Sequence, residues 1–341
     1  MSESLALDDE QLAEYLRKYL PQFHGSLVSE KFSSGQSNPT YKIQWADGHC
    51  VLRRKPPGVL LKSAHAVERE FRVMRALQDT AVAVPKTFHL CEDESVIGSV
   101  FFVMEMVEGD IYWQPTLPGL PAPVRTKIYN AMCDTLAALH SVDINSIGMN
   151  DFGKPGNYFA RQINRWTQQY QASETEQFAA MNWLIEWLPE NLPLDDGSAA
   201  LVHGDFRLDN MIFSPNDQRV LALLDWELST LGHPIADLAY QCMQLRMPQG
   251  DQLSGLQSVD RGALGIPSER EYVARYCAQR EIDSIPDWPF YLAFSFFRFA
   301  AILQGVKKRA IEGNASSEHA HQYGALVNPL AEMGQQVAIG E

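Results

Sequence analysis

The chain has 341 residues, 45% of them hydrophobic, with 28 Lys and Arg against 42 Asp and Glu, giving a formal net charge of -14. That length and apolar content suit a globular protein of about two domains, and the acidic balance argues against nucleic acid or an anionic membrane surface as partner, because both require a basic footprint. The five cysteines (Cys50, Cys91, Cys133, Cys242, Cys277) are scattered and never in CxxC spacing, so neither a disulfide framework nor a zinc site is indicated and reduced, buried thiols are expected.

The N-terminal MSESLALDDEQLAEYLRKYL is acidic and helical in pattern, with an amphipathic helix expected over residues 10–20. It has neither a basic start nor a small-residue cleavage site, and a cytoplasmic location is the expectation. A β-rich segment follows, FSSGQSNPTYKIQW and CVLRRK, split by the Asp47-Gly48 turn signal of a hairpin. After Pro56-Pro57-Gly58, the run AHAVEREFRVMRALQ places Val67, Phe71, Met74 and Leu77 on one helical face. Pro85 ends that helix, and VPKTFHLCED and SVFFVMEMVEG read as two more strands. Beyond Gly109 a proline-rich stretch precedes a long helix ending at Leu139-His140, and the remainder reads as mostly helical. The apolar stretch Phe290 to Val306 is interrupted by Arg298 and Gln304, which favours a buried helix over a membrane span. The boundary between the parts is expected near residue 108, giving a nucleotide-binding lobe over 1–108 and a catalytic and acceptor lobe over 109–341.

Within the second part, LVHGDFRLDNMIF at 201–213 and VLALLDWE at 220–227 carry the chemistry. HGDFRLDN satisfies the HxDxxxxN pattern, and the turn Ser214-Pro215-Asn216-Asp217 links two apolar runs, the second of which delivers Asp225. Phosphoryl transfer requires a carboxylate to accept the proton of the attacking hydroxyl, and an amide and a second carboxylate to hold Mg2+ against ATP phosphates. Asp205, Asn210 and Asp225 are the candidates at that spacing. A small β-rich lobe before a larger helical one is the arrangement in which ATP lies between the two.

At the nucleotide end, Ser34, Gly35, Gln36, Ser37 and Asn38 form a small-residue turn between the first strands, where backbone N–H groups approach phosphate. The segment holds one glycine and matches neither GxGxxG nor a Walker loop, so a plain hairpin turn explains it as well. Strand alternation puts Val51 and Arg53 on one face, making Arg53 the candidate phosphate-binding cation, with Arg54 and Lys55 as rivals. Its helix partner is expected to be Glu70 rather than Glu68, because Glu70 flanks the apolar stripe. Met104 is expected to pack within an adenine pocket, with the backbone of Glu105 and Val107 at the adenine edge.

Taken together, SSGQSNPTY, VLRRKPPG, AHAVEREFRVM, HGDFRLDN and LLDWELSTLGHPIADLAY resemble the aminoglycoside phosphotransferase family over essentially the whole chain. They are most similar to the subgroup of kinase domains associated with acyl-CoA dehydrogenases. The resemblance implies an α+β, bilobal protein-kinase-like fold with a small β-rich N-lobe and a larger mainly helical C-lobe. It implies Asp205 as catalytic base, Asn210 and Asp225 as Mg2+ ligands, Glu70 as partner of the strand cation, and His203 and Asp237 as structural supports of the catalytic loop. Two features depart from protein kinases: the strand cation is Arg rather than Lys, and Trp226-Glu227 follows the metal aspartate where protein kinases have Phe-Gly.

The expected activity is ATP- and Mg2+-dependent phosphorylation of a small-molecule hydroxyl, on a hydroxyacid or hydroxyacyl-CoA by the narrower resemblance. A polycationic aminoglycoside acceptor, suited to an acidic chain, stays open. So do a nucleotide-binding pseudokinase, prompted by the arginine, and a hydrolase pairing Asp205 with Asp209 or Asp225. Basic residues for an acyl-CoA are Arg161, Arg165 and Lys307-Lys308-Arg309. The aromatics Tyr158, Phe159, Trp166, Tyr170, Trp183 and Trp187 suit an acyl pocket or ordinary helix packing, and His319 and His321 lack a third metal ligand. The sequence leaves the oligomeric state open.

Overall fold

A computed structural model describes residues 6–32, 38–56, 65–154, 156–250, 254–312 and 323–340. The chain divides into two compact units, and the division is not a single cut: residues 1–110, 210–215 and 220–229 make up the first, and 111–209, 216–219 and 230–341 the second.

The first unit opens with helix α1, Asp9–Tyr19, whose N-cap Asp8 accepts from the N–H groups of Glu10 and Gln11. Acidic Asp9 and Glu10 in its first turn and basic Arg17 and Lys18 in its last complement the helix dipole. Strands β1 (Val28–Lys31), β2 (Thr40–Trp45), β3 (Gly48–Arg54), β4 (Thr87–Cys91) and β5 (Phe101–Met104) form one antiparallel sheet in the order β1-β2-β3-β5-β4. The β2–β3 hairpin closes on the pair Trp45 and Gly48. A side chain at Gly48 would lie 2.5 Å from the Trp45 ring, so only glycine fits there.

Alternation along the strands sorts the two faces of the sheet. Tyr41, Ile43, Cys50, Leu52, Phe101 and Val103 share a core with Leu12 and Leu16 of α1. The opposite face carries Val51 beside Met104 and Arg53 beside Phe102. Helix α2, Val67–Leu77, packs against β4 and β5, with its Phe71 ring 6.0 Å from that of Phe102. Its expected apolar stripe is realised at Val67, Met74 and Leu77, and Glu70 is buried among these residues.

The hairpin of β7 (Met211–Phe213) and β8 (Val220–Leu223) also belongs to the first unit. Asp110 and Phe213 exchange backbone hydrogen bonds of 2.9 and 2.8 Å, and Leu223 N–H donates to the Ala83 carbonyl at 2.8 Å. Gly109 permits the approach, since a side chain there would meet the Phe213 carbonyl oxygen at 2.5 Å.

The second unit is mainly helical: α3 (Ala122–His140), α4 (Tyr158–Ser173), α5 (Ala179–Glu190), α6 (Ile235–Arg246), a short turn α7 (Arg261–Leu264), α8 (Glu269–Gln279), α9 (Trp288–Ile311) and α10 (Val327–Ile339). A two-stranded pair that helical patterning alone does not anticipate, β6 (Ala200–Val202) with β9 (Thr230–Gly232), sits within it. Helix α9 packs against α4, α5, α6 and α10. It is long and apolar enough by length and composition to cross a membrane, yet 83% of its apolar window is buried inside the protein, as in a core helix. All five cysteines are free and buried. The architecture is bilobal, a β-rich N-terminal part and a larger, mainly helical C-terminal part.

Candidate active site

In the second unit, β6 leads directly into His203, Gly204 and Asp205, and Asp237 in the first turn of α6 receives this loop. Its carboxylate accepts the backbone N–H groups of His203 at 2.6 Å and Gly204 at 2.9 Å. Gly204 has φ of +84°, a left-handed conformation that favours glycine at this bend. The Asp237 carboxylate also lies 3.3 Å from His140 Nε2, while His140 Nδ1 lies 2.7 Å from the Tyr276 hydroxyl. Burial alone would raise the Asp237 pKa, but its contacts with His140, His203 and the Gly204 N–H hold it below the usual carboxylate value. Burial lowers the His140 pKa despite Asp237. The pair is therefore a neutral imidazole donating to a carboxylate, with Nδ1 left to accept from Tyr276.

The Asp205 N–H donates to His203 Nδ1 at 3.2 Å, so the buried His203 ring is occupied in shaping the loop. The Tyr240 hydroxyl of α6 donates to Asp205 Oδ1 at 3.1 Å, and Arg298 of α9 donates to the Gly204 carbonyl at 2.7 Å. Tyr240 did not stand out in the sequence, where it reads as a core position of an apolar helix, and Arg298 was noted only as a charge that interrupts the apolar stretch Phe290 to Val306. Asp209 is held by a two-point contact from Arg207, at 3.0 and 2.6 Å.

Asn210 and Asp225 lie in the first unit, at the base of the β7–β8 hairpin. The ladder is continued by Leu224 N–H donating to the Asn210 carbonyl at 2.8 Å, which seats Asn210 opposite the residue before Asp225. Asp225 has φ of +64°. This is a conformation that Asp and Asn tolerate better than most residues, and it turns the backbone sharply where the strand ends.

Arg53 joins this carboxylate to α2. Its NH2 group is 2.8 Å from Asp225 Oδ1, and its Nε is 2.9 Å from Glu70 Oε2. Asn38 donates to Glu70 Oε1 at 2.8 Å, and Asn38 Oδ1 lies 3.0 Å from His65 Nδ1. Burial, reinforced by Asp225 and Glu227, pushes the Glu70 pKa up to about 7 against the opposing pull of Arg53. Burial would lower the Arg53 pKa, but Glu70, Asp225 and Glu227 together raise it. The neighbouring cations point elsewhere: Arg54 bonds Ser99 at 2.8 Å and Lys55 pairs with Glu68 at 2.9 Å.

Ser34, Gly35, Gln36 and Ser37 lie outside the described residues, as do His319 and His321. Met104 is buried at the end of β5. The Glu105 N–H donates to the Lys86 carbonyl at 2.8 Å, and its carboxylate accepts the Lys86 N–H at 3.1 Å. No cluster of three or more His, Cys, Asp or Glu suited to a metal occurs among the described residues. An amide oxygen with a single carboxylate suits instead a hard cation that keeps most of its coordination for water and phosphate, as Mg2+ does.

Residues expected at an acceptor site are spread over several contacts. Trp183 and Trp187 stack on each other with ring centroids 5.6 Å apart, while Phe159 sits in a ring cluster with Phe290, Tyr291 and Phe294. Arg161 donates to the Lys154 carbonyl, and Lys307 pairs with Glu176.

Residues 29–290 match the model of the phosphotransferase enzyme family. The chain is 49% identical over 341 residues to mouse acyl-CoA dehydrogenase family member 10, covering 99% of this chain and 32% of that protein. It is 44% identical over 336 residues to human acyl-CoA dehydrogenase family member 11, covering 97% of this chain and 43% of that protein. The chain thus spans less than half the length of these relatives. A solved structure from Ralstonia eutropha, provisionally named an aminoglycoside phosphotransferase, is 48% identical and superposes with a TM-score of 0.90, covering 98% of this chain and 99% of that one. On these matches the chain belongs to the phosphotransferase enzyme family and is a phosphotransferase with the kinase-like fold.

Proposed function

We propose that the chain transfers the γ-phosphoryl group of ATP to the hydroxyl of a small molecule, with a 4-hydroxyacyl-CoA or the related hydroxyacid as acceptor. The observation that carries the chemistry is the ion-paired series Glu70, Arg53 and Asp225 beside Asn210, on a chain whose HGDFRLDN loop is seated by Asp237. In this reading Asp205 accepts the proton of the acceptor hydroxyl as its oxygen forms a bond to the γ-phosphorus. The bond from that phosphorus to the β–γ bridging oxygen breaks, and ADP leaves with the electron pair. Arg53 contacts the phosphates, oriented by Glu70, and Ser34 to Asn38 offer backbone N–H groups to them. The Glu105 carbonyl and the Val107 N–H take the adenine edge, against Met104. Asn210 and Asp225 hold Mg2+, which when bound offsets the charge that builds on the phosphate oxygens.

An arginine in place of the lysine usual for kinases keeps the charge and adds donors, and its planar fork spans two acids at once. The acyl-CoA acceptor draws support from the names of the relatives, in which acyl-CoA chemistry shares a polypeptide with the matched stretch. Five free cysteines support a reducing, cytoplasmic setting. A net charge of -14 favours a second reading, phosphorylation of a polycationic aminoglycoside.

The test is ATP consumption across a panel of hydroxyacids, their CoA thioesters and aminoglycosides. The expected result is Mg2+-dependent turnover with the 4-hydroxyacyl thioester that disappears in Asp205→Ala. Turnover with aminoglycosides alone would replace the acceptor proposed here, and turnover that survives Asp205→Ala would remove the mechanism.

A further inference from the structure

Helix α6 carries Asp237, which fixes the start of the catalytic loop, and one turn later it carries Tyr240. The Tyr240 hydroxyl donates to Asp205 Oδ1 at 3.1 Å, and the side chain is 4% exposed. Two neighbours fix the ring. The guanidinium of Arg298 lies 5.1 Å from its centroid, and Phe299 meets it edge-on at 6.2 Å. Arg298 is itself held over the Trp166 ring, at 5.6 Å, and bonded to the Gly204 carbonyl at 2.7 Å. Arg298 and Tyr240 therefore act on consecutive residues of the loop, one on the Gly204 backbone and the other on the Asp205 side chain.

We propose that Tyr240 is a positioning residue for phosphoryl transfer, its hydroxyl fixing the rotation of the Asp205 carboxylate through one oxygen while Arg298 locks the ring that carries it. The inference rests on Asp205 being the base. A donor held against one carboxylate oxygen narrows the rotation of the whole group and so biases the direction in which the base is presented. Tyr240 is suited to the task because burial, and next the Asp205 charge, raise its pKa far above the ordinary phenol value. The phenol accordingly stays protonated and acts toward Asp205 as a donor only, never as a competing base. A purely structural reading leaves the hydroxyl unexplained: phenylalanine would fill the same space and stack on the same guanidinium, and a buried hydroxyl costs free energy unless it is bonded.

The test uses the full chain and Mg2+-ATP hydrolysis, with water taking the place of the acceptor. Tyr240→Phe is expected to lower kcat about 10-fold, with the KM for Mg2+-ATP and the Tm unchanged. Combined with Asp205→Asn, it is expected to add nothing to the loss that Asp205→Asn alone produces, because the two act as one unit. A wild-type kcat in Tyr240→Phe, or losses that multiply in the double variant, overturns the proposal. If Asp205→Asn itself keeps full turnover, the assignment of the base fails instead, a separate outcome. 3-Fluorotyrosine incorporated at position 240 keeps the ring and strengthens the donor, so it serves should the phenylalanine variant misfold. A changed kcat at constant KM then supports the brace, and an unchanged kcat overturns it.

Discussion

His140 shows how one buried side chain sets a pH dependence. It lies at the end of α3 between the Tyr276 hydroxyl and Asp237, and burial depresses its pKa below the ordinary 6.5. Between the folded and the unfolded pKa the unfolded chain binds the extra proton, so stability rises with pH through that window. His140 therefore contributes fully above about pH 6.5 and loses its contribution on acidification, by at most about 1.4 kcal/mol per pH unit. His233, also depressed by burial, has the same sign. Glu70 has the opposite sign, because its folded pKa is raised to about 7 and the folded state holds the additional proton between about pH 4.5 and 7. The informative quantity is thus the difference between wild type and His140→Gln in urea unfolding at pH 7 and pH 5.5. Wild type is expected to lose more stability than the variant over that interval. Equal losses would mean that His140 titrates alike in both states.

Elements in this chain are terminated by local chemistry that a sequence displays openly. Ser268 begins α8 with a capping box: its hydroxyl accepts from the Glu271 N–H, and the Glu271 side chain accepts from the Ser268 N–H. Ser268→Ala is expected to cost about 1 kcal/mol, read as a lower urea midpoint at constant m-value, with ATP turnover untouched. The same kind of local cue made much of the fold legible. The Asp47-Gly48 signal marked the β2–β3 hairpin, and the apolar period of VEREFRVMRAL marked α2, because both patterns complete themselves within about ten residues. What did not show was whatever joins distant segments. Nothing near Leu201 announces that β6 pairs with β9, some thirty residues later, because three-residue strands carry almost no periodicity. The order Arg53, Arg54, Lys55 likewise left the choice of cation to strand alternation. The structure gives the three side chains different partners: Glu70 and Asp225, Ser99, and Glu68. Tyr240 was hidden for a related reason, since in IADLAYQCMQLR it is one more large residue on a buried helix. Its hydroxyl acquires meaning only from a carboxylate 35 positions earlier.

At the scale of the molecule, the proposed site residues divide between the two units by role. Arg53, Glu70, Asn210 and Asp225 all belong to the first unit, whereas Asp205, His203, Asp237 and Tyr240 belong to the second. Nucleotide binding and proton acceptance should therefore separate by mutation. A ligand that binds only the folded state stabilises it by RT ln(1 + [L]/Kd), about 2.7 kcal/mol at a hundredfold excess over Kd. For units of this size that corresponds to a rise in Tm of roughly 5–10 °C. Saturating Mg2+-ATP is expected to give such a rise in differential scanning calorimetry, and EDTA to remove most of it, because the phosphate charge then meets the Asp225 carboxylate with no metal ion to bridge them. Asp225→Ala should abolish the Mg2+-dependent part, while Asp205→Ala should retain the whole rise although turnover is lost. If the rise persisted in Asp225→Ala and in EDTA but vanished in Asp205→Ala, the nucleotide would be held by the second unit, and the roles proposed for Arg53, Asn210 and Asp225 would fall together.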